Sequence, residues 1–317
     1  MMTADAAVII VSYNTGHLIR DCLRSVLDER GALDQRVIVI DNGSTDDSLA
    51  AISEYPDVEP IDAGENLGFA RAVNRAAETA DAEFVVLLNP DTVVLHHAIE
   101  RLVEFARAHP GHGLYGGRAV QRDGSLEISS CWGLPTLWSM TCFALGLTTL
   151  LRGSALFDPE SLGNWKRDTI REVGMVTGCL LLAPIATWRE LGGLDERYFM
   201  YGEDADLAFR AHAAGYRPII NPDACIVHDV GGASASSRDR SRLLFRGKAT
   251  LLRDHFHGWR RPVVLAELLV GVALRTAIAS IGPGKRHRAA EGWQQVWRDR
   301  RLWIGGYNER GDRYPRQ

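Results

Sequence analysis

Cysteine is scarce in this sequence and is never arranged in pairs. Its five Cys residues are scattered through 317 residues, and no two of them stand in a C-x-x-C spacing. A disulfide framework and a zinc cluster are therefore not expected, and a reducing compartment is favoured. No basic region precedes the first apolar run, so we predict no signal peptide and expect a cytoplasmic protein.

An excess of positive charge is also absent. The formal net charge is -4 at pH 7, which gives no electrostatic reason to expect nucleic acid as a partner. The composition, 46% hydrophobic and 24% charged, excludes collagen-like, disordered and low-complexity proteins. The length suffices for one large α/β domain with an appendage. Basic residues are nevertheless concentrated in 260–317, which holds 12 Lys or Arg against 5 Asp or Glu.

The sequence has no long hydrophobic run free of charge. Pro262–Ile281 is strongly apolar, but Glu267 and Arg275 interrupt it, so we predict no membrane-spanning helix. Lys and Arg interspersed with Trp across 260–303 are typical of a surface in a lipid headgroup layer. A helical hairpin packed on the rest of the protein, or a homodimer contact, explains the same pattern. Peripheral contact with the inner face of the membrane and homodimerisation therefore both stay open.

Short apolar runs alternate with helical patterns through the first 120 residues. Predicted strands cover Ala7–Val11, Val37–Ile40, Val58–Ile61 and Phe84–Leu88, and predicted helices include His17–Leu27, Phe69–Thr79 and His96–Ala108. This alternation predicts an α/β fold with a mainly parallel sheet and helices on both faces. Ligands of such sheets bind at the carboxyl ends of the strands. The polar clusters 12–14, 41–47 and 89–91 fall at three of these ends.

The second half of the chain is less regular. Residues 130–168 carry aromatic residues without clean periodicity, which indicates an inserted segment. Strand character returns at Val173–Leu182 and Ala224–Val227, helices are predicted at Ala186–Leu191 and Asp206–Ala214, and the pattern from Ser237 onward is helical. We therefore expect a catalytic domain over 1–256, with halves 1–120 and 121–256, and a basic amphipathic helical tail over 257–317.

Two strand ends carry candidate ligands for a nucleotide. The carboxylate of Asp41 is suited to accept the imide N–H of a uracil or thymine ring, while Ser44 and Asp46 are suited to cap the following helix. Helix capping explains Asp41 equally well. Asp91 follows the fourth strand and suits Mg²⁺ or Mn²⁺ bound to substrate phosphates, although an Asn-Pro-Asp turn with local hydrogen bonds accounts for the same tripeptide.

Two later motifs carry candidate acids and a histidine. Glu203, Asp204 and Asp206 stand within four positions at a predicted helix start, where acids complement the helix dipole. Adjacent Glu203 and Asp204 also suit a general base with a hydroxyl-binding neighbour. His228 ends a predicted strand, and it becomes a metal ligand only if the fold brings it beside Asp91.

The order of these motifs resembles glycosyltransferase family 2, within it the rhamnosyltransferase-like branch of enzymes with the GT-A fold. The resemblance spans about residues 6–256, and its most specific part is the block 192–210, which contains Phe-Met-Tyr-Gly-Glu-Asp.

The resemblance implies specific roles for residues of this chain. It places Ser12, Tyr13 and Asp41 around the nucleotide base, and Asn66 and Arg71 near the nucleotide. It assigns the divalent cation, Mg²⁺ or Mn²⁺, to Asp91 and His228; Asn89 stands where many members carry an acid. Asp204 matches the catalytic base, with Glu203 beside it for acceptor contacts. Arg242, Arg246 and Lys248 follow on a predicted helix, where they are placed to neutralise the diphosphate.

The implied reaction is inverting transfer of a sugar from a nucleoside diphosphate sugar to a hydroxyl group. Thymidine diphosphate rhamnose is the leading donor, and a glycan or a lipid-linked saccharide is the expected acceptor. Two alternatives remain: a nucleotidyltransferase that forms sugar nucleotides, and an inactive protein that binds them. A nucleotidyltransferase would favour a Gly-rich phosphate loop after the first strand, and this sequence has none there.

Overall fold

The computed structural model describes residues 3–228, 237–281 and 287–308. Its strands are β1 (Ala4–Ser12), β2 (Gln35–Asp41), β3 (Val58–Asp62), β4 (Ala82–Leu88), β5 (Thr92–Leu95), β6 (Tyr115–Val120), β7 (Leu126–Glu127), β8 (Cys131–Trp132), β9 (Arg171–Glu172), β10 (Met175–Val176), β11 (Leu180–Pro184) and β12 (Ile219–His228). Its α-helices are α1 (Gly16–Asp28), α2 (Ser48–Ser53), α3 (Phe69–Ala77), α4 (Ala98–Ala108), α5 (Leu137–Ala144), α6 (Leu147–Leu150), α7 (Ile185–Leu191), α8 (Glu203–Ala213), α9 (Ser237–His255), α10 (Arg260–Ile281), α11 (His287–Arg298) and α12 (Arg300–Trp303).

One ten-stranded mixed sheet forms the centre of the protein. Its main path runs β3-β2-β1-β4-β11-β6-β12-β5, with β7 beside β6 and β9 beside β12. The first four strands on this path are parallel, whereas β11 is antiparallel to both of its neighbours. The predicted mainly parallel α/β sheet is therefore confirmed, and its second half is mixed.

The two faces of β1 show why helices cover both sides of the sheet. Ala6, Val8 and Ile10 pack into one core with α1 and α4, whereas Ala7 and Ile9 pack with α3 on the opposite face. Because successive side chains of a strand point to opposite faces, a strand that is apolar throughout must be covered on both. The continuous apolar run of the first predicted strand carried this information.

The strand predictions needed two corrections. The predicted strand Val173–Leu182 is two strands, β10 and β11, and the five strands β5 to β9 were not predicted. The sequence of β6 contains Gly116 and Gly117, and glycine is depleted in strands. The structure explains them by close packing: a Cβ on Gly117 would lie 2.2 Å from the carbonyl oxygen of Ala224, and one on Gly116 would lie 2.3 Å from Val176.

The segment 130–168 and the C-terminal helices pack together. Met140 of α5 shares one apolar cluster with α9, α10 and Trp303. Helix α5 begins with a capping box between Thr136 and Ser139. Within the predicted helical tail 257–317, the structure describes helices α10, α11 and α12 and the turns beside them; residues 282–286 and 309–317 of that prediction lie outside the described residues.

Helix α10 differs from the sequence-based expectation. No spanning helix was predicted, yet within the described residues Arg260–Ser280 is long and apolar enough to cross a membrane by length and composition. Core helices of soluble proteins meet the same criterion, so this is a weak indication. All five cysteines are free thiols, as expected.

Candidate active site

A cavity of about 730 Å³ opens at the carboxyl ends of the parallel strands. Eight of the residues predicted for the site line it: Tyr13, Asn66, Asn89, Asp91, Glu203, Asp204, His228 and Lys248. The first four come from the first 120 residues and the others from the second half of the chain. The fold therefore brings both predicted halves to one cavity.

The end of β2 holds the loop that leads into α3. Asn42 donates from Nδ2 to Oδ1 of Asn66 at 3.1 Å and to the carbonyl of Gly68 at 3.2 Å, and its own Oδ1 accepts from the N–H of Leu67 at 2.9 Å. The buried amide of Asn42 thus fixes the position at which Asn66 meets the cavity. Tyr13 lies across the cavity from this loop with an exposed ring.

Ser12 and Asp41 are buried and do not line the cavity in the described structure. The hydroxyl of Ser12 is 2.8 Å from that of Thr15. Asp41 accepts hydrogen bonds from the N–H and the hydroxyl of Ser44, at 2.9 and 2.6 Å. Both side chains therefore shape the loops at the ends of β1 and β2. We expected Ser44 and Asp46 to cap the following helix. The carboxylate of Asp46 accepts the N–H of Ser48, the first residue of α2, and also that of Gly16 at the start of α1, each at 3.0 Å, whereas the hydroxyl of Ser44 binds Asp41.

Asp91 and His228 lie side by side. This proximity is the condition on which we expected His228 to act as a metal ligand. Strands β5 and β12 pair so that His228 stands opposite Thr92, next to Asp91. His228 Nε2 is 3.4 Å from Asp91 Oδ1 and 3.4 Å from Asn89 Nδ2. On the other side of the ring, His228 Nδ1 is 3.1 Å from the hydroxyl of Ser129, which fixes the ring's orientation.

This cluster fits a divalent cation that substrate phosphates help to hold. Asp91 Oδ1 is buried and has no hydrogen-bond partner in the described structure, and a buried unpartnered carboxylate oxygen is costly. Among the described residues, no group of three or more His, Cys, Asp or Glu side chains could hold a metal alone. Asn89, which stands in place of an acid, accounts for the missing ligand. The protein offers Asp91 and His228, and the remaining ligands would be phosphate oxygens and water.

The acids Glu203 and Asp204 start α8 directly after an unusual turn. Tyr201 and Gly202 both have positive φ values, 69° and 103°. Gly247 of α9 packs against this turn so closely that a Cβ there would lie 1.9 Å from the carbonyl oxygen of Tyr201. Upstream, the carbonyl of Phe199 accepts the N–H of Phe69 at 2.7 Å. These contacts tie the turn to α3 and α9 and so fix the position of the two acids in the cavity.

Glu203 and Asp204 have unequal surroundings. Burial raises the pKa of both carboxyls, and the negative charge of Asp204 adds to the effect on Glu203. Asp204 Oδ1 accepts the N–H of Ala205 at 2.8 Å, which opposes the rise. Glu203 Oε2 is buried and without a hydrogen-bond partner in the part of the chain that is described. The pair therefore favours an ionised Asp204 beside a protonated Glu203.

Asp206 does more than complement the helix dipole. Its carboxylate binds His255 Nε2 at 2.8 Å and Arg210 at 2.8 Å. These partners hold the pKa of Asp206 below its usual range despite burial, and they tie α8 to α9.

Only one of the three basic residues predicted on α9 lines the cavity in the described structure. Arg240, Leu244, Lys248 and Leu251 line it, and their spacing of four, four and three residues defines one helix face. Arg242 and Arg246 lie on another face. Arg242 pairs with Asp239 at 3.0 Å, and Arg246 donates to the carbonyl of Gly306 at 3.0 Å. Lys248 lies 2.6 Å from Glu160.

Arg71 also lies away from the cavity lining. It stands on α3 with its Nε 3.7 Å from a carboxylate oxygen of Glu196. Eight of the predicted residues thus line the cavity. The five that do not are Ser12, Asp41, Arg71, Arg242 and Arg246.

Sequence reasoning missed residues that support the site from distant positions. The hydroxyl of Tyr307 donates to the carbonyl of Met200 at 2.8 Å, directly before the turn that carries the acids. Ser129 orients His228, and Trp132 and Phe143 line the cavity. The irregular aromatic residues of 130–168 were a signal for the last two, whereas nothing in the local sequence marks Tyr307.

Comparisons with known proteins agree with this geometry. The family model described as glycosyl transferase family 2 matches residues 7–158. The N-acetylglucosaminyl-diphospho-decaprenol L-rhamnosyltransferase of Mycobacterium tuberculosis is 33% identical over 87% of this chain and 92% of its own length. A mannosyltransferase from Pyrobaculum calidifontis, solved with GDP-Man and Mn²⁺, has a TM-score of 0.55 and 21% identity over 96% of this chain and 84% of its own. GalNAc-T7, solved with UDP, GalNAc and Mn²⁺, has a TM-score of 0.56 and 13% identity, covering 96% of this chain and 57% of its own.

The fold is the GT-A fold. The chain belongs to glycosyltransferase family 2 and is a glycosyltransferase similar to rhamnosyltransferases.

Proposed function

We propose that this enzyme transfers a sugar, L-rhamnose, from a nucleoside diphosphate to a hydroxyl of a glycan or lipid-linked saccharide, with inversion at the anomeric carbon. The observation that carries the proposal is that Asp204 and the Asp91–His228 pair line one cavity from opposite halves of the chain. Such an arrangement separates an acid that receives a proton from a group of ligands that receives the leaving diphosphate.

Asp204 acts as the general base. As the acceptor hydroxyl oxygen bonds to the anomeric carbon, its proton passes to Asp204 and the bond from that carbon to the diphosphate oxygen breaks. Glu203 contacts the acceptor while it keeps its own proton, since its burial and the charge of Asp204 both raise its pKa. A single displacement needs no covalent intermediate and inverts the configuration.

Asp91 and His228 would hold a divalent cation, Mg²⁺ or Mn²⁺, on the diphosphate side of the cavity, and that cation would neutralise negative charge that grows on the diphosphate. Asn89 lies beside His228 and adds no charge. Lys248 lines the cavity and supplies a positive charge to a substrate phosphate; Arg242 and Arg246, which face elsewhere, are not needed for this step.

The nucleotide occupies the end of the cavity at β1 and β2. Tyr13 and Asn66 line that end and contact the base and ribose. Ser12, Asp41 and Arg71 do not line the cavity and act indirectly, by shaping the loops that carry Tyr13 and Asn66. Asp41 binds the base only if its carboxylate accepts a hydrogen bond from the base in addition to those from Ser44. We propose thymidine diphosphate rhamnose as the donor, because the curated relative from Mycobacterium tuberculosis is an L-rhamnosyltransferase.

The acceptor is proposed to be a saccharide carried by a lipid diphosphate, which is the acceptor that the name of the same relative specifies. A role in cell-wall or polysaccharide synthesis follows from such an acceptor. We further propose a cytoplasmic enzyme that contacts the membrane peripherally through 260–303, of which residues 282–286 lie outside the described structure. The basic residues of this segment favour an anionic lipid surface.

A donor screen followed by product analysis tests the function. Purified protein is mixed with a panel of nucleoside diphosphate sugars, with and without Mn²⁺, and thermal shifts identify the donor that binds. The preferred donor is then incubated with a lipid-diphosphate N-acetylglucosamine acceptor. We expect release of nucleoside diphosphate together with a glycosylated lipid. Formation of nucleoside triphosphate and sugar 1-phosphate from the donor when pyrophosphate is added would indicate a nucleotidyltransferase, and donor binding without product would indicate an inactive sugar-nucleotide-binding protein.

A further inference from the structure

The cavity extends beyond the acid pair into an apolar arm between the inserted segment and the C-terminal helices. Met140 and Phe143 of α5, Phe245 of α9 and Leu268 of α10 line this arm. A nucleoside diphosphate and a hexose have no apolar group of this size to place there. The arm therefore calls for an apolar ligand that reaches the same cavity as Asp204.

The face of α9 that lines the cavity alternates basic and apolar side chains. Arg240 and Lys248 provide positive charge, and Leu244 and Leu251 separate them along the helix. Leu244 is about half exposed even though it borders the cavity, with a relative exposure of 51%. Such a stripe suits an amphiphile that carries phosphate groups next to an apolar chain.

Helix α10 directs the charges of its apolar stretch inward, toward the inserted segment. Glu267 accepts the hydroxyl of Thr141 at 2.6 Å. Arg275 donates to the carbonyl of Phe143 and to the hydroxyl of Thr148, each at 2.7 Å, and its guanidinium stacks on the Phe143 ring. Between Pro262 and Ser280, the residues that α10 exposes carry no charge. A helix face of this kind in contact with water would ordinarily carry charged residues.

The turn that follows α5, whose residues line the arm, packs against α10 next to this uncharged outer surface. Gly146, at the turn between α5 and α6, lies so close to Leu274 of α10 that an added Cβ would be 3.2 Å from its Cδ2. Val270 and Ile278 stand one turn on either side of Leu274 and are more than half exposed, as is Leu145 beside the glycine. An apolar chain that leaves the arm here meets an apolar surface.

We propose that the arm lined by α5, α9 and α10 binds the apolar chain of a lipid-diphosphate acceptor, with Arg240 at its phosphates, and that the outer face of α10 lies against the bilayer that supplies it. This inference rests on the proposed function, because only a lipid-linked acceptor has such a chain. The inserted segment thereby becomes a binding wall for the acceptor lipid.

The test uses two acceptors with the same saccharide diphosphate, one on a long polyprenyl chain and one on a short water-soluble alkyl chain. Leu244→Asp introduces a charge into the arm at a half-exposed position, which folding should tolerate. Leu49→Asp makes the same change at an exposed helical leucine of α2 that does not line the cavity. We expect Leu244→Asp to lower kcat/KM for the long-chain acceptor at least ~10-fold more than for the short-chain acceptor, because repulsion of the phosphates is common to both, with Leu49→Asp changing neither.

An equal effect of Leu244→Asp on both acceptors, or on neither, would overturn the inference. If the wild-type enzyme glycosylates the short-chain acceptor, the proposed function stands whatever the chain result. If it glycosylates neither acceptor, the proposed function fails. The affinities of the protein for a long-chain polyprenyl diphosphate and for a short-chain alkyl diphosphate, measured by thermal shift, then decide the chain site alone. A loss of affinity in Leu244→Asp that is larger for the long chain supports the site, and an equal loss for both ligands refutes it.

Discussion

Replacing Gly247 by alanine tests how α9 holds the catalytic acids. Two effects of known sign compete at this position. Alanine favours the helix by about 1 kcal/mol over glycine. Its Cβ would lie 1.9 Å from the carbonyl oxygen of Tyr201, well inside contact distance, so the turn and the helix must separate by roughly an ångström. Overpacking of this kind costs about 1–3 kcal/mol.

We therefore expect Gly247→Ala to lower the free energy of unfolding by up to about 2 kcal/mol. The effect on activity should be larger, because the displaced turn carries Glu203 and Asp204. A shift of about 1 Å in a catalytic group can cost on the order of 100-fold, so we expect kcat to fall by ~10- to 100-fold. Donor affinity should change less than kcat, since Tyr13, Asn66 and Asp91, which we assign to the donor, lie outside α9.

Gly292→Ala is the matched control for this substitution. Gly292 lies within α11, and nothing stands within 4 Å of its ideal Cβ. The same change should there raise the free energy of unfolding by up to about 1 kcal/mol without altering kcat. Denaturant titration and steady-state kinetics measure both quantities. If the two alanine variants are equally stable and equally active, the close packing of α9 on the acid turn is refuted.

Three further changes probe the acids, the cation ligands and the tyrosine behind the turn. Burial raises the pKa of Glu203 in the folded protein. Its carboxyl therefore contributes most to stability below its unfolded pKa, and this contribution is lost as the pH rises through the folded pKa. Glu203→Gln should thus raise Tm more at about pH 9 than at about pH 5. Glu203 still carries its proton where Asp204 titrates, so the acid limb of the pH–kcat profile should stay nearly unchanged in this variant. Asp91→Ala should weaken donor binding about 10-fold or more in the presence of Mn²⁺ and abolish its Mn²⁺ dependence. Tyr307→Phe should lower kcat without changing donor KM, because the buried carbonyl of Met200 loses its hydrogen bond.

Each of these changes has an outcome that contradicts it. A Tm gain for Glu203→Gln that is independent of pH would remove the titration argument, and unchanged Mn²⁺ dependence in Asp91→Ala would place the cation elsewhere. For Tyr307→Phe the control is Tyr55→Phe, which removes a hydrogen bond of similar length to the carbonyl of Arg20, remote from the cavity. Equal losses of kcat in the two variants would deny Tyr307 a positioning role.

Local sequence patterns predicted the first half of the fold well. The apolar run that became β1 could only be a buried strand, and the polar residues after it had to lie at its carboxyl end. The glycines of β6 hid that strand, because the reason for them is the approach of Ala224, more than a hundred residues away. The spacing of residues along the sequence does not indicate that contact.

The candidate site shows the same division. Asp91, Asp204 and His228 were recognisable as a series of motifs, and the fold brings them to one cavity. The basic residues of α9 were harder to assign: Arg242 and Arg246 do share a face, but the rotation of the helix is set by packing of α9 on α10 and α8, and that rotation turns Lys248 to the cavity. Rotation about a helix axis follows from tertiary packing, which one sequence does not reveal.

The role of Asp204 is tested most directly by measuring two quantities for Asp204→Asn: its turnover with the preferred donor and its affinity for that donor. If Asp204 receives the proton of the acceptor hydroxyl, transfer should fall by at least ~100-fold, since an amide cannot take that proton, while the dissociation constant of the donor stays within about twofold. Turnover close to that of the wild-type enzyme would contradict the central claim that this carboxylate performs the chemistry.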